Sequence, residues 1–394
     1  MKKILIHDYA GHPFQIDLSR ELAKKYNVTH LYSGSNTTPQ GRTDKNDSDL
    51  ETFNIDSVKL SSTIDKSSFV KRWFQELTYG FKLLKKIRKI NPELVMSANT
   101  PLDAQFIIFL YCKFRRIKFV FWLQDMITFT ASNIIKRKSK ILGLIINTYF
   151  GFLEKTVARL SYKTIITMDS HIDILKSWGV KDTKIELIHN WATLDDYPVI
   201  DKVNDWSLKN QYHDKFTFMW TGTMGMKHGP EFFVDLAKKY ANNDNVKVVV
   251  VSESIGAKWL IKQKEKQKLH NLDILPFQPF SDVGKMMASS DCLICVVSND
   301  VADAAIPSKF LSYMCSKRGI ILSIKDDNQA ALIAKKYNTA LVCNPDDSNE
   351  FLKCCDVILN DSKLRNTLSV NARKYAETTF NLSNISQKFI KFIK

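Results

Sequence analysis

Trp220-Thr-Gly-Thr-Met-Gly-Met-Lys-His-Gly-Pro230 holds three glycines, a lysine and a proline suited to a first helical turn. The apolar run before it, Phe216–Trp220, reads as a strand, so the segment is a strand-to-helix turn. Backbone N–H groups of such a turn can cradle phosphate oxygens around Gly222 and Gly225, and Lys227 adds a point charge. A plain βα turn would need fewer glycines. The spacing is neither G-x-G-x-x-G nor a P-loop, since no Gly-Lys-Ser/Thr is present. A second segment, Ile306–Cys315, offers Ser308 as the cap of a helix whose first residue is Lys309. A lysine in a first turn opposes the helix dipole and is tolerated best when an anion is shared between them. Both segments point to binding of a phosphate or diphosphate.

Polar residues also gather at strand ends in the first half, where open α/β sheets bind ligands. Asp8-Tyr-Ala-Gly-His-Pro-Phe14 follows the opening strand. Gly11 lets backbone approach a ligand and Pro13 suits a helix start; the same pattern also fits a tight turn with His12 at the surface. Phe119-Val-Phe-Trp-Leu-Gln-Asp125 is a nearly continuous apolar strand ending at Gln124 and Asp125. Asp125 reads equally as a substrate contact or a helix cap. Glu186-Leu-Ile-His-Asn-Trp191 delivers Asn190 to a third strand end, as a contact or a turn residue.

These segments sit in an alternation of short β-rich runs and longer amphipathic runs. Strands are expected at Lys3–His7, Val28–Leu31, Leu94–Ser97, Phe119–Leu123, Thr164–Met168 and Glu186–Ile188. After a polar stretch, Leu194–Asp214, they resume at Phe216–Trp220, Val246–Val251, Cys292–Val297, Ile320–Ser323 and Ala340–Val342. Helical periodicity fills the gaps, including Phe69–Ile90, Lys140–Leu160, Lys309–Cys315 and Ser362–Thr378. Continuous apolar strands between helices indicate parallel sheets covered on both faces. The expectation is two α/β domains, 1–200 and 201–380, and a final amphipathic helix, 381–394, with Ile385, Phe389, Ile390 and Ile393 on one face.

The length of 394 residues suits two such domains. A net charge of +16 asks for an anionic partner. The excess crowds the first half, at Lys71 to Lys89, Lys113 to Lys118 and Lys136 to Lys140; any one cluster reads as a solvated helix face, and the three together read equally as a basic binding face. These clusters lack interleaved exposed aromatics, so no nucleic-acid partner is expected. The missing dinucleotide fingerprint disfavours an oxidoreductase. Cys292 and Cys295 lie inside an apolar run and, three apart on a strand, point to opposite faces, so they read as buried reduced thiols. Lys2 and Lys3 precede a run too short for a signal peptide, and no apolar stretch is long enough to span a bilayer. Ile141–Leu153 could lie in a membrane interface or in a core.

Taken in order, these segments resemble glycosyltransferase family 4, and most of all bacterial O-antigen and capsule enzymes of the fucosamine-transferase type. Tyr9-Ala-Gly-His-Pro13 matches the family's Y-x-G-H-P, Gln124-Asp125 its Q-D, Asn190-Trp191 its N-W and Gly222-Thr-Met-Gly225 its donor loop. Pro307-Ser-Lys309 and Tyr313 match its P-S-K-x-x-E-Y. The resemblance implies a GT-B fold, with two Rossmann-like doubly wound domains facing a cleft. It implies a nucleotide-diphosphate sugar donor, UDP-linked, on Gly222, Thr223, Met224, Gly225, Lys227, Ser308, Lys309, Ser312 and Tyr313. It implies a lipid-linked saccharide acceptor on Gly11, His12, Gln124, Asp125 and Asn190. Lys309, Asp125 and His12 would serve catalysis, with retention of anomeric configuration. No D-x-D pair sits where a metal-dependent transferase needs one, so neither metal nor cofactor is expected. The expected setting is cytoplasmic, with a peripheral place on the anionic inner face of the membrane as an option. The chain departs from the family at Ser312, where a ribose-binding Glu is usual, at Lys317-Arg-Gly319 for Gly-x-Pro, and at Ser252-Glu-Ser254 for G-D/E-G. A catalytically inactive homologue acting in a polysaccharide assembly complex, or a sugar-nucleotide epimerase, are the alternatives.

Overall fold

The computed structural model describes residues 1–36, 40–62, 69–126, 128, 140–299 and 306–394. The chain divides into two units, Met1–His189 with Leu382–Lys394, and Asn190–Asn381.

The first unit is built on β1 (Lys3–Asp8), β2 (Asn27–Ser33), β3 (Phe53–Val58), β4 (Leu94–Ala98), β5 (Lys118–Leu123), β6 (Lys163–Ile166) and β7 (Ile185–Leu187). They pair in parallel in the order β3-β2-β1-β4-β5-β6-β7, with Ile4 opposite both Val28 and Leu94. Every residue of β4 is buried, as an apolar strand between helical layers requires. Chain order reverses between β1 and β4, which makes that edge the switch point of the sheet. The last helix, Leu382–Ile393, packs on the helix Pro13–Ala23. It buries Ile385, Phe389, Ile390 and Ile393, and the Phe389 ring lies 5.0 Å from that of Trp122.

The second unit repeats the plan with β8 (Phe216–Thr221), β9 (Val246–Val251), β10 (Leu272–Leu275), β11 (Cys292–Val296), β12 (Gly319–Ser323) and β13 (Leu341–Cys343). The parallel order is β10-β9-β8-β11-β12-β13, so its switch point lies between β8 and β11. Cys292 and Cys295 are buried free thiols on β11.

The polar stretch after residue 194 has local structure of its own. Asn204 caps the helix Asp205–Lys209 by accepting from the N–H groups of Trp206 (3.0 Å) and Ser207 (3.2 Å), and Trp206 is buried. Among the described residues no helix is long and apolar enough to cross a membrane. Of the basic clusters, Lys136, Arg137 and Lys138 lie outside the described residues.

Candidate active site

Each unit presents a polar constellation at its own switch point. In the second, β8 ends at Thr221, and the Thr221 N–H donates to the Tyr313 hydroxyl (3.0 Å). Tyr313 is fully buried, so it supports the strand end from behind. Gly222 follows with φ +116°, a conformation that favours glycine. A Cβ built there would lie 2.9 Å from Lys309 Cε and 3.3 Å from Nζ, so the lysine end lies directly over this glycine. Lys309 Nζ also stands 4.6 Å from the centroid of the buried Trp220 ring. Burial pulls the ammonium below its ordinary pKa, the Cys295 thiol opposes this, and the Lys227 charge adds to it. Among the described residues no carboxylate forms an ion pair with Lys309.

The glycines shape this loop; they do not donate from it. Gly222 N–H is taken by the Val251 carbonyl (3.0 Å), Gly225 N–H by His228 Nδ1 (2.9 Å) and Gly229 N–H by the Met226 carbonyl (3.2 Å). The N–H groups of Thr223, Met226 and Lys227 are the ones with no acceptor among the described residues. Burial, then the charges of Lys309 and Lys227, drive His228 down to about 3, so its ring is neutral and Nδ1 is free to accept.

The buried Met224 is gripped from β9's end. Ser252 Oγ accepts from its N–H (3.1 Å), Ser254 Oγ donates to its carbonyl, and Gly256 N–H donates to the same carbonyl (2.8 Å). Ser252 and Ser254, which depart from the family's glycines, therefore hold the loop in shape. Met224 itself is inside the core.

The helix expected to start at Lys309 spans Ser308–Cys315, with Pro307 at the cap position. Ser308 is thus the first helical residue and not the cap, because the extended Pro307 (φ −61°, ψ 120°) already precedes the turn. No side chain caps this end; the Phe310 N–H donates to the Pro307 carbonyl (3.0 Å), and those of Ser308 and Lys309 have no acceptor among the described residues. Ser312 Oγ donates to the Ser308 carbonyl (3.2 Å), turned onto its own helix.

In the first unit, β1 ends at Asp8, whose side chain is fully buried. It accepts from the backbone N–H groups of Ala10 (3.2 Å) and His12 and from Asn99 Nδ2 (2.9 Å), and its Oδ2 lies 3.1 Å from His12 Nδ1. Burial pushes the Asp8 carboxyl up, but the charge and hydrogen bonds of His12, with that of Asn99, outweigh it and hold the group at about 2. Burial lowers the His12 pKa, yet Asp8, with a smaller contribution from Asp125, raises it above the ordinary value. His12 keeps 43% of its side chain exposed, so a proton there is within reach of a ligand. Gly11, at φ +72°, turns the chain between the two partners, and Gln40 Nε2 supports the turn through the Ala10 carbonyl (3.0 Å).

Beside this pair is a cavity of about 110 Å³ whose lining includes Asn99, Gln105, Trp122, Gln124, Asp125 and Glu154. Gln124 and Asp125 line this cavity; Gly11 and His12 do not, and His12 is tied to it through Asn99, 3.4 Å from its Nδ1, and through the charge of Asp125. Asn190 is the half-buried first residue of the second unit. Asp8 and Asn99 were not singled out from sequence. The D-x-x-x-H spacing of Asp8 and His12 is a local signal for the first; Asn99 arrives from β4 and has none.

Residues 205–375, which lie within the second unit, match the family model described as glycosyl transferases group 1. A putative colanic acid biosynthesis glycosyl transferase of Escherichia coli, WcaI, is 22% identical over 219 residues, 55% of this chain and 53% of the relative. The match thus spans about half of that relative's length. Among solved structures, HepE of Anabaena, in complex with UDP and glucose, superposes with a TM-score of 0.71 at 13% identity, covering 100% of this chain and 99% of that one. WaaG, a glycosyltransferase involved in lipopolysaccharide biosynthesis, gives 0.68 at 13% identity, covering 99% of each. These likenesses show the fold, two Rossmann-like domains of the GT-B architecture.

Proposed function

We propose that the chain is a retaining, metal-independent glycosyltransferase that moves a sugar from a UDP-linked donor to a lipid-linked saccharide in surface polysaccharide synthesis. The observation that carries this is the Lys309 ammonium, laid over Gly222 beside an uncapped helix start and paired with no carboxylate among the described residues. A diphosphate there would meet Lys309, the first-turn N–H groups and Lys227. Transfer forms a bond from the acceptor oxygen to the anomeric carbon and breaks the bond from that carbon to phosphate. Charge develops on the departing phosphate, and preorganised cations and N–H donors stabilise it most when they need not reorganise. The departing phosphate oxygen takes the acceptor's proton, while His12 and Asp125 hold the sugars. The bound UDP of HepE supports a UDP-linked donor, and the names of WcaI and WaaG support a polysaccharide acceptor.

Contrary to the expectation that the basic clusters lack exposed aromatics, Phe74, Phe81 and Phe114 are exposed on helices that also expose Lys82, Lys85 and Lys113. Apolar side chains among cations suit an anionic lipid surface, where each Lys or Arg adds about 1 kcal/mol. The acceptor would be met on that surface.

The test is incubation with UDP- and GDP-sugars and a lipid-linked acceptor carried in vesicles with and without anionic lipid. Sugar transfer from the UDP donor, faster on anionic vesicles, is expected. Ser312, bonded to its own helix where a carboxylate would reach a ribose, favours a second reading, an inactive assembly partner. Calorimetry that detects neither UDP nor GDP would select it, and consumption of donor without acceptor would select an epimerase.

A further inference from the structure

We propose that Trp220 is the positioning residue of the donor site, holding the Lys309 ammonium over Gly222 as a charge reserved for the diphosphate; this rests on the transferase reading above. A half-buried lysine ordinarily keeps its charge by pairing with a carboxylate. Here no carboxylate among the described residues pairs with it. The face of the Trp220 indole, 4.6 Å from Nζ to its centroid, takes that place. The difference matters for function. A carboxylate would neutralise the ammonium and compete with phosphate for it, whereas a ring quadrupole attracts the cation and leaves its net charge intact.

The identity of residue 220 fits this role better than it fits packing. Trp220 is fully buried on β8, and its indole N–H has no partner among the described residues. Phenylalanine would fill a core strand position without orphaning a donor. The indole offers the strongest cation-attracting face of the aromatic side chains. The same ring neighbours His228, with centroids 5.7 Å apart, and His228 Nδ1 accepts the Gly225 N–H at 2.9 Å. One indole therefore ties the lysine to the turn it must serve. The Lys309 neighbour Lys227 repels the ammonium, and the Trp220 face offsets that push.

Calorimetric titration of the full chain with UDP, pyrophosphate and uridine tests this on Trp220→Leu and Trp220→Phe. Trp220→Leu should bind UDP and pyrophosphate about tenfold more weakly, with uridine unchanged, because only the charge-dependent part is lost. Trp220→Phe, which keeps an aromatic face, should recover most of it. In a Lys309→Ala background Trp220→Leu should cost nothing further, which separates positioning from a folding defect. Equal loss of UDP and uridine, or UDP binding untouched by either substitution, would overturn the role of Trp220 alone. Wild-type protein that binds UDP no better than uridine would overturn the donor site itself.

Discussion

The loops after β1 and β8 occupy corresponding places at the switch points of their sheets, yet they handle charge in opposite ways. The first carries its own counter-ion. Asp8 is buried, fully engaged and paired with His12. The second holds cations that pair with no carboxylate among the described residues, since Lys309 rests on a glycine and an indole and Lys227 stands exposed nearby. A closed pair is stable by itself and can only be tuned by pH or a neighbour. An open cation in a partly dry site is a standing cost that a bound anion relieves. The comparison predicts that the β1 loop is a matter of protonation and the β8 loop a matter of ligand charge.

The largest effect should come from breaking the open site. Lys309→Ala is expected to lower turnover of a UDP-sugar roughly a hundred- to a thousandfold, the range for losing one preorganised charge stabiliser, with little change in thermal stability. Full turnover by this variant would show that the open cation is not the donor's. The closed pair should answer differently. Asp8→Asn removes charge-assisted hydrogen bonds from a buried position and should destabilise the fold by about 2 kcal/mol in denaturant titration. The pH dependence carries the sign. Asp8, held at about 2, contributes stability that is present above the ordinary carboxylate range and lost as pH falls through that value. His12, raised above 6.5, contributes stability that is present below its unfolded value and lost as pH rises through its folded one. The gap between wild type and Asp8→Asn should therefore be widest between roughly pH 4 and 6.5 and narrow on both sides. A gap that ignores pH would mean that Asp8 serves only as a backbone anchor.

The same contrast explains what the sequence made legible. Interior strands such as β4, β5 and β9 announce themselves by unbroken apolar runs, because both of their faces are covered. β3 and β10 gave no such signal. Both are edge strands, with mixed burial and a polar Asp56 or Asp273 mid-strand, so half of each remains turned to water. The glycine loop and Lys309 were readable because one segment holds each chemical group. The cap at Ser308 was off by one residue because Pro307 and Ser308 are both compatible with the turn. Asn99 was silent because its partner, Asp8, is 91 residues away and is met only once β4 pairs with β1. Ser252 and Ser254 were visible only as departures from a glycine pattern. Their purpose appears when β8 and β9 come together and two hydroxyls meet the two polar groups of Met224.

That clamp gives the smallest and sharpest test. Ser252→Ala leaves the buried Met224 N–H without its 3.1 Å partner, at a cost of about 1–2 kcal/mol in global stability. Ser252 touches neither Lys309 nor the uncapped helix start, so the charges of the open site stay where they are. The loop that carries Gly222, however, loses one of the three hydrogen bonds that hold Met224. UDP affinity should fall a few-fold, about what one neutral hydrogen bond can position, far less than for Lys309→Ala. Ser254→Ala should act alike through the Met224 carbonyl, which keeps Gly256 N–H at 2.8 Å as a second donor and so should suffer less. Calorimetry on both variants ranks them. If Ser254→Ala proves the more damaging, the loop is held by its carbonyl and not its N–H, and the view of the β8 loop as an open cation on a fixed backbone would need a different anchor.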